Sequence, residues 1–335
     1  SQKTLFKTRP VVGFIHALVA WGFTLYLVVN IIDVLYGFIP NFKFFPNSII
    51  GDVYRLFVDI FSILVLLGVF YFLARRLIIQ ESRLTIKDPV LLSDRAKAGM
   101  KFDSFIVGAF IIVHIGSRFL SASFEIAIHG TDWSQPAANM VATLWSTLSP
   151  NTLTIAEHVT WWLALGLILL FLPYFPYSKH AHLFMGPLNI MASEKRRSMA
   201  AIETINFEDE ELDQFGAAQI QHLPQTQLLD GYACIQCSRC QDACPAYETG
   251  KELSPSALEI NKRYFINDNV STIANGESID KALTDWMLTE EAAWSCTTCG
   301  YCIEVCPVGN EPMIDILRAR QNLVMMESNF PQDAM

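Results

Sequence analysis

Residues 234–245 read CIQCSRCQDACP and residues 296–307 read CTTCGYCIEVCP. These two runs hold all eight cysteines of the 335-residue chain. Each has the spacing C-x2-C-x2-C-x3-C-P. Two-residue gaps let three thiolates point at three irons of one cube, while the fourth cysteine, followed by proline, leads away and reaches the other cluster. That rule assigns Cys234, Cys237, Cys240 and Cys306 to one [4Fe–4S] cluster, and Cys296, Cys299, Cys302 and Cys244 to a second. Zinc also takes four cysteines, but zinc ribbons favour two well-separated C-x2-C hairpins over three cysteines in steps of three plus Cys-Pro. Cysteines confined to metal-type runs point to a reducing compartment and to metal ligation, against a disulfide scaffold.

Outward from the cysteines the composition changes. Hydrophobic residues make up 52% of the chain and the mean hydropathy is +0.30, so membrane segments are expected. The net charge of −9 argues against nucleic-acid binding, which needs a basic face. The first apolar run, PVVGFIHALVAWGFTLYLVVNII (10–32), is too long for a signal-peptide core and reads as a membrane helix.

Spans long enough to cross about 30 Å of hydrocarbon fall near 10–36, 52–78, 102–127 and 152–177. A shorter stretch, AANMVATLWSTL (137–148), reads as a helix lying at the surface. The connection 75–101 carries Arg75, Arg76, Arg83, Lys87, Arg95, Lys97 and Lys101, whereas the opposite connections offer only Lys43. The positive-inside rule therefore places both termini, the 75–101 connection and both cysteine runs in the cytoplasm.

Histidines within such helices are costly without a role. His16, His114 and His158 lie in spans, and His182 follows the last one, with His180 as its rival. Two imidazoles at equal depth on facing helices can hold a haem iron axially. Helical rise puts His16 about 9 Å inside the cytoplasmic edge, close to the depth of His182, and sets His114 and His158 at nearly matching depths for a second haem. His129 and His222 read as solvated. Asp59, Arg118, Glu125 and Glu157, with Arg55 nearby, form a charged group near the outer face. Arg118 is expected to salt-bridge Asp59, to anchor a propionate, or to meet a quinone carbonyl. Quinone-site candidates are Arg118, Asp59 and His114.

Beyond residue 186, GPLNIMASEKRRSMA leaves the membrane with basic residues, and an acidic linker to about 230 enters the first cysteine run. Ser254 is the expected cap, with Pro255 at the first helical position, of a helix over 254–264. SIDKALTDWMLTEEAAWSC has helical periodicity. The fold class expected is all-α: a four-helix transmembrane domain (1–185), an interfacial linker (186–230) and a helical two-cluster domain (231–335).

The two-cluster part resembles the ferredoxin module of heterodisulfide-reductase-type proteins and of succinate dehydrogenase iron–sulfur subunits. RPVVGFIHALVAWGF (9–23) and PYSKHAHLFMGPLN (176–189) resemble the first and last haem-bearing helices of the cytochrome b (gamma) subunit of respiratory nitrate reductase. Their order resembles the membrane-bound iron–sulfur oxidoreductases that link electron-transfer flavoprotein to menaquinone, over essentially the whole chain. The resemblance implies haem b on His16 and His182, a menaquinone-type quinone, and a cytoplasmic partner, either electron-transfer flavoprotein or a flavin subunit carrying CCG repeats. Two departures stand out. Where the nitrate-reductase-type cytochromes carry their other haem histidines, this chain has Tyr26 and Ala164, and CCG repeats do not follow the second cysteine run. A haem-free anchor for a ferredoxin domain, and a relay to a thiol–disulfide reductase, are the alternative readings.

Overall fold

The computed structural model describes residues 6, 9–46, 48–194, 201–202, 204–209 and 212–331. Among these the chain is all-α, with no strand. It divides into two compact units that are not contiguous in sequence: residues 2–79 with 104–175, and residues 80–103 with 176–335.

The first unit contains the membrane-length helices α1 (Pro10–Phe38), α2 (Ile49–Leu73), α3 (Asp94–His129, which continues from the second unit) and α5 (Pro150–Phe171), with the short α4 (Pro136–Ala142) between the last two. All four long helices are apolar enough to cross a membrane. Pro10 starts α1, where a missing N–H leaves no bond unmade. Ser48 and Ser149 cap α2 and α5 by accepting from Gly51 N at 3.2 Å and Thr152 N at 3.2 Å. α2 ends in a wider turn, Ile79 N donating to Ala74 O at 2.8 Å. α3 starts at Asp94, eight residues before the expected span, because Ser93 caps it through Ala96 N at 3.2 Å. α5 stops at Phe171, ahead of the expected 177, since Pro173 has no N–H with which to continue the helical ladder. The expected surface helix is α4 followed by a single tight turn, Thr143–Trp145.

α1 and α2 pack closely because glycines face them: a Cβ on Gly68 would lie 2.7 Å from Val19, and one on Gly22 would collide with Val65. Tyr26, Val29, Val58, Val65, Ile111 and Phe171 are among the residues of this unit's core.

The second unit contains α6 (His182–Ala192), α7 (Gln225–Ala233), α8 (Pro255–Asp268) and α9 (Pro312–Met325), joined by single helical turns. Its core takes Val90 and Leu92 from the connection between α2 and α3, and Ala96 from the first turn of α3, beside Leu253, Ile260 and Leu283. The connection is held by side chains. Tyr247 Oη accepts from Lys87 N (3.1 Å) and donates to Thr85 O (3.3 Å). Asn261 accepts from Ser93 N (3.1 Å) and donates to Leu91 O (3.0 Å). A linear boundary at 185 does not capture this, and the segment 186–230 is more than a linker: Ala217, Ile220 and Leu223 are buried in the same core. The basic residues Lys195, Arg196 and Arg197 lie outside the described residues.

Candidate iron–sulfur centres and membrane histidines

Both cysteine runs fold the same way. Gln236 (φ 54°) and Ser238 (φ 58°) in the first run, and Thr298 (φ 52°) and Gly300 (φ 71°) in the second, are left-handed at equivalent positions. Two left-handed residues around the second cysteine curl the backbone so that amides turn toward sulfur, a concave anion-binding form. Thr298 N lies 3.4 Å from Cys296 Sγ, and Asn310 N lies 3.3 Å from Cys306 Sγ. Gln236 N serves Cys234 likewise, and the amides of Ala246 and Tyr247 serve Cys244 after the Cys-Pro turn.

The structure sorts the eight cysteines into two cavities. One is ringed by Cys234, Cys237, Cys240 and Cys306. The other is ringed by Cys244, Cys296, Cys299 and Cys302. Cys302 reaches the wall of both. Among the described residues no three His, Cys, Asp or Glu side chains converge as a single metal ion requires. Sulfurs spread around a void suit a four-iron cube, in which each thiolate binds a different iron. Burial pushes the Cys302 and Cys306 thiols up to about 12, and also raises those of Cys234 and Cys240. These thiols are neutral at pH 7 without metal, so ligation exchanges a proton for iron.

Two arginines absent from the sequence reading hold the loops. Arg263 Nη1 donates to Cys234 O (3.0 Å), and its Nη2 donates to Ser178 O (2.8 Å) and Tyr232 O (3.2 Å). Arg320 Nη2 donates to Cys296 O (2.5 Å) and its Nε to Ala293 O (2.6 Å). Each follows the proline that starts its helix by the same interval (Pro255 to Arg263, Pro312 to Arg320), so the two halves share one device. Beneath the first cavity, the fully buried Lys262 binds Asp315 (2.5 Å) and Glu259 (3.2 Å).

The histidines differ in setting. His182 Nδ1 pairs with Lys179 O at 2.6 Å, which fixes the ring and leaves Nε2 as the outer nitrogen, the arrangement metal-bound histidines use. His180 lies 6.2 Å from His182, ring to ring; burial, then His182 and Lys179, hold its pKa down near 3. His16 is half-buried on α1, edge-on to Phe72 at 6.3 Å. His114 is buried with Nδ1 on Ala164 O (2.9 Å) and its ring 6.0 Å from that of Tyr26. His114 therefore touches both positions that lack the usual haem histidine. Tyr26 in turn bonds Ser62 at 2.7 Å. His158 is exposed and bonds Thr154 O (2.9 Å) and Glu157 (2.7 Å). It sits six residues before Ala164, about 9 Å along α5, so matched depth does not make it a partner for His114. His222 accepts from the amides of Ala218 and Gln219, and is structural.

The polar cluster is wired differently from expectation. Arg118 pairs with Asp33 at 3.0 Å, not with Asp59. Asp59 accepts from Ala137 N (2.7 Å) and Ala138 N (2.9 Å), capping α4. Arg55 pairs with Asp132 at 2.9 Å. Glu125 is exposed.

Residues 230–310 match the 4Fe-4S dicluster domain. The match supports iron–sulfur clusters at the two cavities. Along 99% of its length the chain is 32% identical to a probable iron-sulfur-binding oxidoreductase, FadF, of Bacillus subtilis, covering 50% of that protein. It is 26% identical to an EtfAB:quinone oxidoreductase of Syntrophomonas wolfei, over 97% of the chain and 48% of the relative. Over 31% of the chain it is 29% identical to a probable membrane-anchored ferredoxin of Chromohalobacter salexigens, covering 18% of it. The chain thus spans about half the length of the first two relatives. No solved structure matches it significantly.

Proposed function

We propose that this chain is a membrane-bound electron-transfer subunit. Electrons pass between a cytoplasmic redox partner, two [4Fe–4S] clusters, haem b and a menaquinone-type quinone. The observation that carries the reading is the pair of four-cysteine cavities with Cys302 in both walls, in a chain with four helices of membrane length. Clusters and haem, when bound, supply one-electron chemistry at potentials set by ligands, hydrogen bonds and burial. The chain's own residues do the rest. Cys234, Cys237, Cys240 and Cys306 would hold one cluster, and Cys296, Cys299, Cys302 and Cys244 the other. Arg263 and Arg320 fix the loops that aim them. His16 and His182 are assigned to haem b.

Quinone protonation needs an acid or imidazole near the ring oxygens. The buried His114 and the Asp33–Arg118 pair are assigned that role; Asp59, committed to the cap of α4, is not. Residues 80–103 belong to the same compact unit as the cysteines, which supports a common side for both. With the arginine-rich connection, this supports a cytoplasmic side for both termini and for the cysteines. The partner is an electron-transfer flavoprotein or a flavin subunit, in line with the Syntrophomonas relative being an EtfAB:quinone oxidoreductase.

A second reading, a haem-free membrane anchor, is favoured by the membrane-anchored ferredoxin among the relatives. A pyridine-haemochrome assay with iron and sulfide analysis on the purified chain separates the two. About one haem b with two clusters is expected. Clusters without haem would establish the anchor, and absence of acid-labile sulfide would overturn the iron–sulfur reading itself.

A further inference from the structure

The two cavities carry unequal charge. Arg239 lines the first cavity and is only 7% exposed. Its Nε and Nη1 are buried without a hydrogen-bond partner. A buried guanidinium whose N–H groups lack acceptors is destabilising unless an anion faces it. The other charged group on that wall, Glu259, is already engaged by Lys262, which also binds Asp315. Among the described residues no charged side chain lines the second cavity. The position equivalent to Arg239 in the second run is Tyr301, which is 54% exposed, and Cys299 beside it is exposed to solvent.

A four-iron cube bound by four thiolates is an anion, and reduction makes it more so. Burial penalises that extra charge and lowers the potential, whereas a neighbouring cation offsets the penalty. The second site meets water through Cys299, while the first has Arg239 in place of water. We propose that Arg239 is the built-in counter-ion of the cluster held by Cys234, Cys237, Cys240 and Cys306, and that it raises the reduction potential of that cluster alone. The inference rests on the proposed cluster assignment. Reduction adds one electron per cluster, breaks no bond and moves no proton. In the test the electron comes from dithionite.

The experiment is an EPR-monitored redox titration of the purified full chain in detergent, with iron and sulfide measured in parallel, for wild type, Arg239→Gln and Arg239→Lys. In Arg239→Gln the reduced-to-oxidised ratio of one cluster at a fixed potential should fall at least about tenfold, which is 59 mV for a one-electron couple. The other cluster should not move, and Arg239→Lys should recover most of the shift. Unchanged potentials, or equal shifts in both clusters, would overturn the proposal. If Arg239→Gln loads only one cluster, loading of both in Arg239→Lys supports a need for charge; failure in both variants overturns it, because shape is then what matters. Absence of sulfide in the wild type would instead remove the cluster assignment on which the inference stands.

Discussion

The Asn189 side-chain amide donates to the Asp230 carboxylate at 2.6 Å, to Val308 O at 3.1 Å and to Asn310 Oδ1 at 3.4 Å. Asp230 also receives Glu311 N at 2.9 Å, and Asn310 N reaches Cys306 Sγ. α6, which begins at His182, is thereby fastened to the turn that presents Cys306. A haem ligand candidate and a cluster ligand candidate thus belong to one compact unit, linked by a few hydrogen bonds.

Replacing Asn189 with Ala leaves buried acceptors on Asp230 and Val308 without their donor. The expected loss is about 1–3 kcal/mol. It is read as an earlier thermal bleaching of the visible cluster absorbance, and an unchanged midpoint would show the contact to be idle.

Lys262 bonds both Asp315 and Glu259. Lys262→Met strands two buried carboxylates and should destabilise the second unit by about 3–5 kcal/mol. Adding Asp315→Leu should recover a large part, since an apolar replacement removes one stranded charge. Denaturant unfolding of the two variants measures the difference.

The cysteine partition makes a paired prediction. Cys306→Ser should perturb the same EPR signal as Cys234→Ser, and Cys244→Ser the same signal as Cys299→Ser. If Cys306→Ser perturbs the signal shared with Cys299→Ser, the runs do not exchange their fourth cysteines.

In the membrane unit, Arg118→Met leaves Asp33 unpaired among apolar helices, at a cost of about 3–5 kcal/mol. The double variant with Asp33→Leu should be the more stable of the two. Asp59→Ala should cost about 0.5–2 kcal/mol through the cap of α4 alone, with no coupling to Arg118. A double-mutant cycle on thermal unfolding in detergent checks both.

The parts legible in the sequence are those encoded by local spacing. Cysteine periodicity, span length and the Ser254-Pro255 start of α8 need no knowledge of distant neighbours. Rotational phase was not legible in the membrane half. α1 and α5 are apolar all round, so no stripe tells that Ala164 turns inward while His158 turns outward. The sequence offered Asp59, not Asp33, as the partner of Arg118, because nothing local shows that α4, whose position is a tertiary fact, claims Asp59. Arg239, Arg263 and Arg320 are not singled out by the sequence, because their roles depend on carbonyls and cavities contributed by remote segments. A usable signal existed for two of them: the repeated Pro-to-Arg interval after each cysteine run.

The incorporation of Val90, Leu92 and Ala96 into the cysteine-bearing core bears on how the protein is made. Synthesis runs from the N-terminus, so these residues emerge long before Leu253, Ile260 and Ile316, the partners that bury them. Until the last helix leaves the ribosome, the connection waits with its apolar side chains exposed and tethered between two segments destined for the bilayer. A fragment beginning at residue 186 would never receive them. The cluster-binding half is therefore no detachable tail: its gene segment can be cut away, but a piece of its interior stays behind with the membrane helices.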